Sequence, residues 1–204
     1  MQILKDTTRQ RILAIAHKEF INNGVRNTSI RTIASKAGIA VGNVYNYFES
    51  KDKLFCEVMQ PLINAVDAHI LSHNKEQHLS IDIFHMQDFQ DSYIIKMKTL
   101  IKKFRPELKL LLFNANETSL AGYKERLISH QMKIGLEYMQ LMKERYPHIN
   151  TNISPFFLHI ACSTWMTLFT ELVEHEEYSE EEIDYALEQY AIYSIAGWKK
   201  LMKP

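Results

Sequence analysis

The stretch from Thr28 to Leu54 constrains the fold of this chain more than any other part of the sequence. It begins with a short apolar face at helical spacing, formed by Ile30, Ile33, Ala34 and Ala37. Gly38 then ends this helix, because glycine tolerates the left-handed backbone that a sharp turn between helices requires. A second short helix follows over residues 40–48, and its Val44, Tyr47 and Phe48 can pack back on the first. This arrangement predicts a helix-turn-helix, whose second helix enters the major groove of DNA.

Several groups of residues in the segment from Thr7 to Leu54 together match a known pattern. They are Thr28-Ser29-Ile30-Arg31, Ile33-Ala34, Ala37-Gly38-Ile39, Tyr45-x-Tyr47-Phe48 and Ser50-Lys51-x-Lys53-Leu54. In these positions the chain resembles the TetR (tetracycline-repressor-type) family of bacterial transcription regulators. The strong match covers roughly the first quarter of the chain, and beyond it only the length and the helical layout agree.

The resemblance implies an all-α fold of about nine helices in two domains. Residues 1–52 would form an N-terminal three-helix helix-turn-helix DNA-binding domain, and residues 53–204 a C-terminal helical domain for effector binding and dimerisation. The implied function is that of a homodimeric repressor, which a small-molecule effector releases from a palindromic DNA operator. An architectural or nucleoid-associated DNA-binding protein without an effector is the alternative that stays open.

The charge distribution supports a DNA-binding N-terminus. The whole chain is neutral, with 24 Lys and Arg against 24 Asp and Glu. Residues 1–56, however, contain nine Lys and Arg against four Asp and Glu, a net charge of +5, so the remainder carries −5. Neutralisation of phosphates by basic side chains supplies much of the affinity of DNA-binding proteins. A basic N-terminal segment on a mildly acidic body is therefore typical of such a protein.

The expected DNA contacts lie on the two helices of the motif and just after them. Asn43 is the best candidate for a base contact, because an amide can pair with both N6 and N7 of adenine. Thr28 and Ser29 offer hydroxyls that can cap the first helix and bind a DNA phosphate at its N-terminus. The remaining contacts implied by the resemblance are Arg31, Val41, Gly42, Tyr45, Asn46, Tyr47 and Lys51. Of the two tyrosines, Tyr47 is the one more easily placed in the core.

One departure from the family pattern changes what the second helix can recognise. Many members open this helix with Ser followed by Lys or Gln, whereas this chain has Ala40 and Val41. The side-chain cap is therefore lost, and Val41 can at most touch the methyl group of thymine. For this reason the operator sequence cannot be carried over from relatives.

The rest of the sequence predicts a series of helices bounded by caps, glycines and prolines. A capping box, Thr7-x-x-Gln10, marks the start of the first helix, and Gly24 marks its end. A helix over residues 50–72, kinked at Pro61, would connect the DNA-binding domain to the body. Further helices are predicted over residues 86–104, 107–114, 119–145 and 155–173, and a last one from the capping box Ser179-x-x-Glu182.

The last two long helices predict a dimer interface. The helix that follows Ser154-Pro155 is apolar nearly all round, and a helix without a polar face must be buried. Together with the final helix it contains more apolar surface than one subunit can cover. The resemblance implies a four-helix bundle between two subunits. Such a dimer would place two DNA-binding domains about 34 Å apart, the length of one turn of DNA.

Methionine and aromatic residues are frequent in the body of the chain, where the resemblance implies a hollow core. A mostly apolar cavity with a few polar groups is the usual site for a small molecule, so we expect an apolar or amphipathic effector. The candidate pocket residues are His85, Met86, Phe89, Tyr93, Met97, Phe113, Asn114, Tyr123, His130, His159 and Trp165. A purely structural role is the alternative for each polar candidate.

Other functions find little support in the sequence. No nucleophile–base pair, phosphate-binding loop or cofactor motif is recognisable, which argues against an enzyme. His69 and His73 are four residues apart, but no cysteine or carboxylate completes a metal site with them. Cys56 and Cys162 suit a reducing cytosol, and the N-terminus lacks the apolar core of a signal peptide. Residues 156–169 are too few to span a bilayer, so we expect a soluble, cytoplasmic protein.

Overall fold

The computed structural model describes residues 2–72, 78–84 and 87–203, and the side chains of residues 6–72, 78–82 and 94–203. Within these ranges the chain forms helices and no strands, so the all-α class is confirmed. The described α-helices number eight where the sequence predicts about nine helices. They are α1 (Gln2–Asn27), α2 (Ile30–Ala37), α3 (Val41–Tyr45), α4 (Lys51–Leu71), α5 (Gln87–Phe113), α6 (Tyr123–Arg145), α7 (Pro155–Glu174) and α8 (Glu180–Met202). A 3-10 helix covers Ile81–Phe84.

The chain divides into two compact units. The first unit comprises Met1–Ala65 and Phe104–Tyr123, and the second comprises Val66–Lys103 and Lys124–Pro204. The first unit therefore contains all of residues 1–52, together with most of α4 and the end of α5. The functional boundary expected at residue 52 stays a prediction, because a division by contacts does not test where functions divide.

The first unit is built on a core to which α1 and both helices of the motif contribute. Ile12, Ala16 and Phe20 lie one helical turn apart on α1 and are fully buried. Ile33 of α2 and Val44 of α3 are also fully buried, and α2 packs on both α1 and α3. A helix as short as α3 is not stable alone, so this packing decides which of its sides is buried.

Two predicted helix starts are wrong. α1 begins at Gln2, so Thr7 lies inside the helix and not at its N-terminus. α6 begins at Tyr123 and not at residue 119, because residues 114–122 form turns that end at Gly122. Gly122 has a φ of 68°, which favours glycine and does not continue a helix. Ser119 therefore lies in a turn, which changes its role.

Glycine and proline interrupt the helices close to the predicted positions. Gly24 has a φ of 73° and interrupts α1. The break predicted before Pro106 appears as a kink at Phe104 inside α5, with φ −124° and ψ 21°. Proline lacks the N–H group of the helix ladder and its ring crowds the preceding turn, which explains a kink on its N-terminal side. Pro61, where the sequence predicts a kink, does not interrupt α4, which runs from Lys51 to Leu71.

Serine residues cap three helices as the sequence predicts. The Ser29 hydroxyl accepts a hydrogen bond from the backbone N–H of Thr32 at the start of α2, and Ser154 caps α7 in the same way. At the start of α8, Ser179 and Glu182 form a complete capping box. These local signals therefore fix where α2, α7 and α8 begin.

The second unit contains a core formed by α6, the loop after it and α8. Its buried cluster consists of Tyr138, Met139, Met142, Ile149 and Met202. Asn150 attaches this loop to the end of α8, since its backbone N–H donates to the carbonyl of Met202 at 2.7 Å. Its side-chain amide donates to the carbonyl of Leu201 at 2.9 Å. These contacts fix α6 and α8 side by side.

Helices α7 and α8 leave apolar side chains exposed. On α7 the exposed residues are Phe156, Phe157 and Ile160, and on α8 they are Tyr185, Ile192, Tyr193 and Leu201. The sequence argument against a membrane span considered residues 156–169 alone. The full helix α7 is longer, and by length and composition alone it could cross a membrane. A single helix of this kind is weak evidence for a membrane span, because core and interface helices have the same composition.

Candidate functional site

Helix α3 has one buried side and one exposed side. It covers five residues, fewer than the predicted 40–48, and is anchored by the buried Val44 and by Phe48 just beyond it. Val41 is 38% exposed and Tyr45 is 50% exposed. We define the recognition surface as the exposed residues Val41, Gly42, Asn43, Tyr45 and Asn46. The structure thus brings five of the expected DNA contacts together on one surface.

The start of α3 lacks a side-chain cap, as the sequence predicts. Ala40 occupies the N-cap position in extended conformation and makes no side-chain hydrogen bond there. Its carbonyl accepts the backbone N–H of Asn43 at 2.9 Å, and the Asn43 residue is exposed. A Cβ atom at Gly42 would meet no heavy atom within 4 Å. The backbone at Gly42 is therefore open to close approach by a ligand.

Thr28 and Ser29 differ in what their hydroxyls contact. The exposed Ser29 hydroxyl accepts the backbone N–H of Thr32 at 3.0 Å. Thr28 is buried, and its hydroxyl lies within hydrogen-bonding distance of the carbonyls of Gly24 (2.7 Å) and Glu19 (3.1 Å). Thr28 therefore closes the turn between α1 and α2, whereas Ser29 is the hydroxyl that faces outward.

Arg31 and Tyr47 complete the expected contacts of the motif. Arg31 is exposed in the first turn of α2. Tyr47 is half-buried, with its ring centroid 6.5 Å from that of Phe48. The intermediate burial of Tyr47 agrees with its expected place nearer the core than Tyr45.

Lys51 connects the start of α4 to the segment between α1 and α2. Its Nζ donates hydrogen bonds to the carbonyl oxygens of Val25 at 2.8 Å and Thr28 at 3.0 Å. Hydrogen bonds that involve a charged group stabilise by about 1.5–3 kcal/mol. Lys51 thus positions the N-terminus of α2, and this role stands beside the phosphate contact that the resemblance implies.

We expect the substitution Lys51→Met to lower the free energy of unfolding by about 1–3 kcal/mol, because it removes both of these hydrogen bonds. Urea unfolding followed by circular dichroism measures the change. The matched control is Lys53→Met, which removes the same charge from an exposed side chain two residues away. Equal effects of the two substitutions would show that Lys51 does not act through the carbonyl contacts.

Asp52 of α4 binds Ser119 of the turn that precedes α6. One carboxylate oxygen accepts the backbone N–H of Ser119 at 2.8 Å, and the other accepts the Ser119 hydroxyl. These two hydrogen bonds, the side-chain one first, lower the pKa of Asp52 below its usual value of 3.8. The contact joins two segments of the first unit that are 67 residues apart in sequence.

The Asp52 contact predicts a pH dependence of stability. Because the pKa of Asp52 is lower in the folded state, its contribution is present above pH 3.8 and is lost as the pH falls through the folded pKa. We therefore expect the difference in unfolding free energy between wild type and Asp52→Asn to be constant near neutrality and to shrink below pH 3.8. Urea titrations from pH 6 to pH 3 measure it. A difference that stays unchanged across this range would contradict the assignment.

The second unit contains a mostly apolar cavity of about 500 Å³, which is open on the side where the exposed Phe157, Ile160, Tyr193 and Leu201 of α7 and α8 line it. Its walls come mainly from α6, α7 and α8, with Ile70 from α4 and Ile94 and Met97 from α5. A cavity of this size and character is typical of a site for a small molecule. We call it the ligand cavity.

The structure brings few of the expected pocket residues together at this cavity. Met97 and Trp165 line it. Phe113, Asn114 and Tyr123 belong to the first unit. The remaining candidates with described side chains are His130 and His159, neither of which lines the cavity. His85 and Met86 lie outside the described residues, and Phe89 and Tyr93 belong to the part of α5 whose side chains are not described.

The two histidines have other contacts. The His130 Nδ1 lies 3.8 Å from an Asp67 carboxylate oxygen, and the His159 Nδ1 lies 3.3 Å from the sulfur of Met132. Among the residues with described side chains, no three His, Cys, Asp or Glu residues are grouped so that they could hold a metal ion. Of the histidines considered for such a site, His73 lies outside the described residues.

The sequence analysis did not identify the face of α6 that lines the ligand cavity. This face carries Gln131, Ile134, Gly135 and Tyr138 at helical spacing, and α7 and α8 supply the larger part of the lining. The signal was present, because a glutamine at i followed by apolar residues at i+3 and i+7 places one polar group on a buried face.

Comparison with known proteins finds a family whose N-terminal region resembles that of this chain. Residues 12–58 match the family model described as bacterial regulatory proteins, tetR family. An HTH-type transcriptional regulator of Staphylococcus aureus (strain USA300) is 32% identical over 95 residues, which are 46% of this chain and 51% of that protein. The chain thus spans about half the length of the curated relatives that it matches.

Two solved structures are similar in fold to most of the chain. A transcriptional regulator (TerR/AcrR family) from Aquifex aeolicus VF5 superposes with a TM-score of 0.62 and 15% identity, covering 91% of this chain and 98% of that one. A TetR-like transcriptional regulator from Rhodococcus sp. RHA1 gives a TM-score of 0.62 and 18% identity, covering 93% and 96%. At these identities the likeness shows the fold alone.

The fold and the recognition surface define a helix-turn-helix protein whose body is entirely helical in the described residues. The match over residues 12–58 lies on the same helices that build the recognition surface. Over this N-terminal region the chain is similar to the bacterial regulatory proteins of the tetR family, and the curated relatives that it matches are HTH-type transcriptional regulators.

Proposed function

We propose that the protein is a cytoplasmic, homodimeric transcriptional repressor that binds a palindromic DNA operator and is released from it by a small-molecule effector. The observation that carries the proposal is the recognition surface. Four exposed residues of the short helix α3, whose other side is buried, and Asn46 just after it lie within a segment that matches the tetR family of bacterial regulatory proteins. The net charge of +5 over residues 1–56 adds the electrostatic attraction that DNA binding requires.

Each group on this side of the first unit has a distinct role in the proposal. Asn43 contacts a base edge in the major groove, and Val41 contacts a thymine methyl group. Ser29, Arg31 and Tyr45 contact phosphates and fix the register of the helix in the groove. Tyr47 can add a phosphate contact through its hydroxyl. Thr28 and Lys51 support this surface from behind, because both are engaged by backbone carbonyls.

The exposed apolar side of α7 and α8 supports the dimer. Phe156 is 71% exposed and Tyr193 is 73% exposed, although both are large apolar side chains. On α8, Tyr185 and Ile192 are seven residues apart and so lie on the same face of the helix. A contiguous apolar face of this kind marks an interaction surface. A second copy of the chain covers it in the proposal, because a two-fold axis places the same face on both subunits.

The ligand cavity supports the effector. It lies in the second unit, apart in sequence from the recognition surface, and its walls are mostly apolar. An effector that binds the conformation incompatible with operator spacing more tightly would shift the population away from DNA. A protein that acts only as an architectural DNA binder would show no such release.

A footprint of the purified protein on the DNA upstream of its own gene, at moderate and high salt, tests the proposal. A protected, roughly palindromic stretch whose half-sites are one helical turn apart is the expected result. Protection that is lost at high salt with no preference for sequence would instead support the architectural alternative. If no DNA from that region is protected, selection from random DNA follows, and the absence of an enriched palindrome there would reject the proposal.

A further inference from the structure

The open side of the ligand cavity lies on the exposed apolar face of α7 and α8. Phe157, Ile160, Tyr193 and Leu201 line the cavity there, and they are between 37% and 73% exposed. We call these four residues the rim. Ile192 is 60% exposed on the same helix as Tyr193 and does not line the cavity. One chain alone therefore leaves the apolar rim and the interior behind it in contact with water, which is unfavourable.

The helix segments around the rim carry no charge that would oppose a second copy of the chain. Residues 155–170 of α7 and 189–198 of α8 contain no Asp, Glu, Lys or Arg. A two-fold axis brings the same face of each subunit together, so an uncharged face meets its own copy without like-charge repulsion. A second copy is therefore the partner that fits this face.

The packing of the rim continues into the cavity. The ring of Phe157 meets that of Trp198 edge to face, with 5.8 Å between the centroids. Trp198 is half-buried and lines the cavity. A subunit that covers Phe157 therefore also restrains an aromatic pair of the cavity wall, and aromatic rings held in this way pack well against a flat apolar molecule.

Two hydroxyl groups of the wall are available to a ligand. Tyr190 and Ser194 are half-buried, line the cavity and lie one turn apart on the same face of α8. Within the part of the chain that the structure describes, neither hydroxyl makes a hydrogen bond. Each can donate one to an oxygen atom of a bound molecule.

The described wall of the cavity carries no charge. It includes no Asp, Glu, Lys, Arg or His residue. Burial raises the pKa of the Cys162 thiol to about 11, and burial followed by the neighbouring Tyr193 raises the pKa of Tyr190, so both groups are neutral near pH 7. An ionised ligand would lose its hydration here without gaining an opposite charge, which disfavours both anions and cations.

We propose that a second copy of the chain closes the ligand cavity, so that two subunits share each site. The site takes an uncharged, largely apolar molecule whose oxygen accepts hydrogen bonds from Tyr190 and Ser194. This inference rests on the dimer of the proposed function and deepens its effector site. A ligand that contacts both subunits binds the dimer and not the monomer, so ligand binding and dimerisation are linked.

The first test uses 2-acetylnaphthalene as an uncharged probe with one acceptor oxygen. Equilibrium dialysis of the full chain at pH 7, read by absorbance, gives the affinity, and sedimentation velocity gives the mass of the same samples. We expect saturable binding of one probe per chain in the dimer. The variant Ile192→Lys, whose substitution lies outside the cavity lining, should be monomeric and bind the probe at least about tenfold more weakly. The matched control Ile95→Lys should stay dimeric and bind as the wild type does.

The second test uses the wild type alone and so does not depend on the folding of a variant. Two sites that exist only in the dimer should lower its dissociation constant by about 100-fold when the probe is present at about ten times its own dissociation constant. Sedimentation velocity over a dilution series measures the change. A dissociation constant that the probe leaves unchanged would overturn the proposal.

The chemical class of the ligand is tested at the wall. The anionic 2-naphthoate should bind the wild type at least about tenfold more weakly than 2-acetylnaphthalene. Tyr190→Phe and Ser194→Ala should each weaken the binding of 2-acetylnaphthalene by about two- to tenfold, because each removes one donor. Tyr178→Phe removes the same hydroxyl from an exposed tyrosine outside the lining and should have no effect. Equal binding of naphthoate, or full affinity in both wall variants, would overturn the ligand class.

The outcomes separate this inference from the proposed function. A monomeric Ile192→Lys that binds the probe as tightly as the wild-type dimer would show that one chain completes the site, and it would overturn the shared site alone. A wild type that is monomeric, or an Ile192→Lys that stays dimeric, would overturn the shared site together with the dimer face assigned above. A wild type that does not bind the probe would overturn the site. The footprint on DNA is measured separately and does not depend on any of these results.

Discussion

Replacing Asn43 with alanine is expected to weaken operator binding by at least about 30-fold while leaving the fold intact. A bidentate contact to one base is worth about 1–3 kcal/mol, and a symmetric dimer makes it twice, which gives about 2–6 kcal/mol in total. The Asn43 side chain is exposed, so its removal should change the free energy of unfolding by less than about 0.5 kcal/mol. Fluorescence anisotropy on the footprinted operator measures the affinity.

The control for this experiment is Asn64→Ala, which removes an exposed amide from α4 in the same unit. Its operator affinity should equal that of the wild type. Tyr45→Ala provides a second test, because a phosphate contact should weaken binding to every sequence by a similar factor. If Asn43→Ala and Tyr45→Ala both bind the operator as the wild type does, the contact assignment is wrong.

The substitution Ile192→Lys is expected to convert the dimer into monomers and to lower operator affinity by about 10²–10⁴-fold. It places a charge in the centre of the apolar face of α8, where a second copy would have to desolvate it. A monomer binds one half-site only and loses the gain in effective concentration that a second linked domain provides. Sedimentation velocity measures the mass, and anisotropy measures the affinity.

A control with the same chemistry is available on α5. Ile95 and Ile192 are both 60% exposed, but Ile95 lies outside the apolar face of α7 and α8. Ile95→Lys should therefore remain a dimer and bind the operator normally. A dimer that persists in Ile192→Lys would remove α8 from the interface, whatever its effect on DNA binding.

Local signals in the sequence were reliable where a few neighbouring residues decide the structure. Ser29, Ser154 and Ser179 cap helices as predicted, because a cap depends on residues within one turn. Gly24 interrupts its helix for a similarly local reason, since only glycine adopts its backbone conformation without cost. The capping box at Thr7 failed, because α1 continues to Gln2 and a capping motif can also lie inside a helix.

The two candidate sites differ in how far the sequence alone predicts them. The side of α3 that is exposed follows from the spacing of Val44 and Phe48, so the recognition surface could be predicted from sequence. The ligand cavity could not, because its walls come from five helices and most residues expected there lie elsewhere or outside the described residues.

The sequence by itself determined the all-helical class, the helix-turn-helix and the exposed face of its second helix. Only the tertiary structure decided that Thr28 faces inward while Ser29 faces outward, and that Lys51 binds carbonyls 23 and 26 residues away. It also decided that Asp52 binds Ser119 and that Gln131 lies in a cavity wall. The physical reason is the range of the interactions. Helix periodicity, caps and turns depend on neighbouring residues, whereas these contacts depend on how distant segments pack.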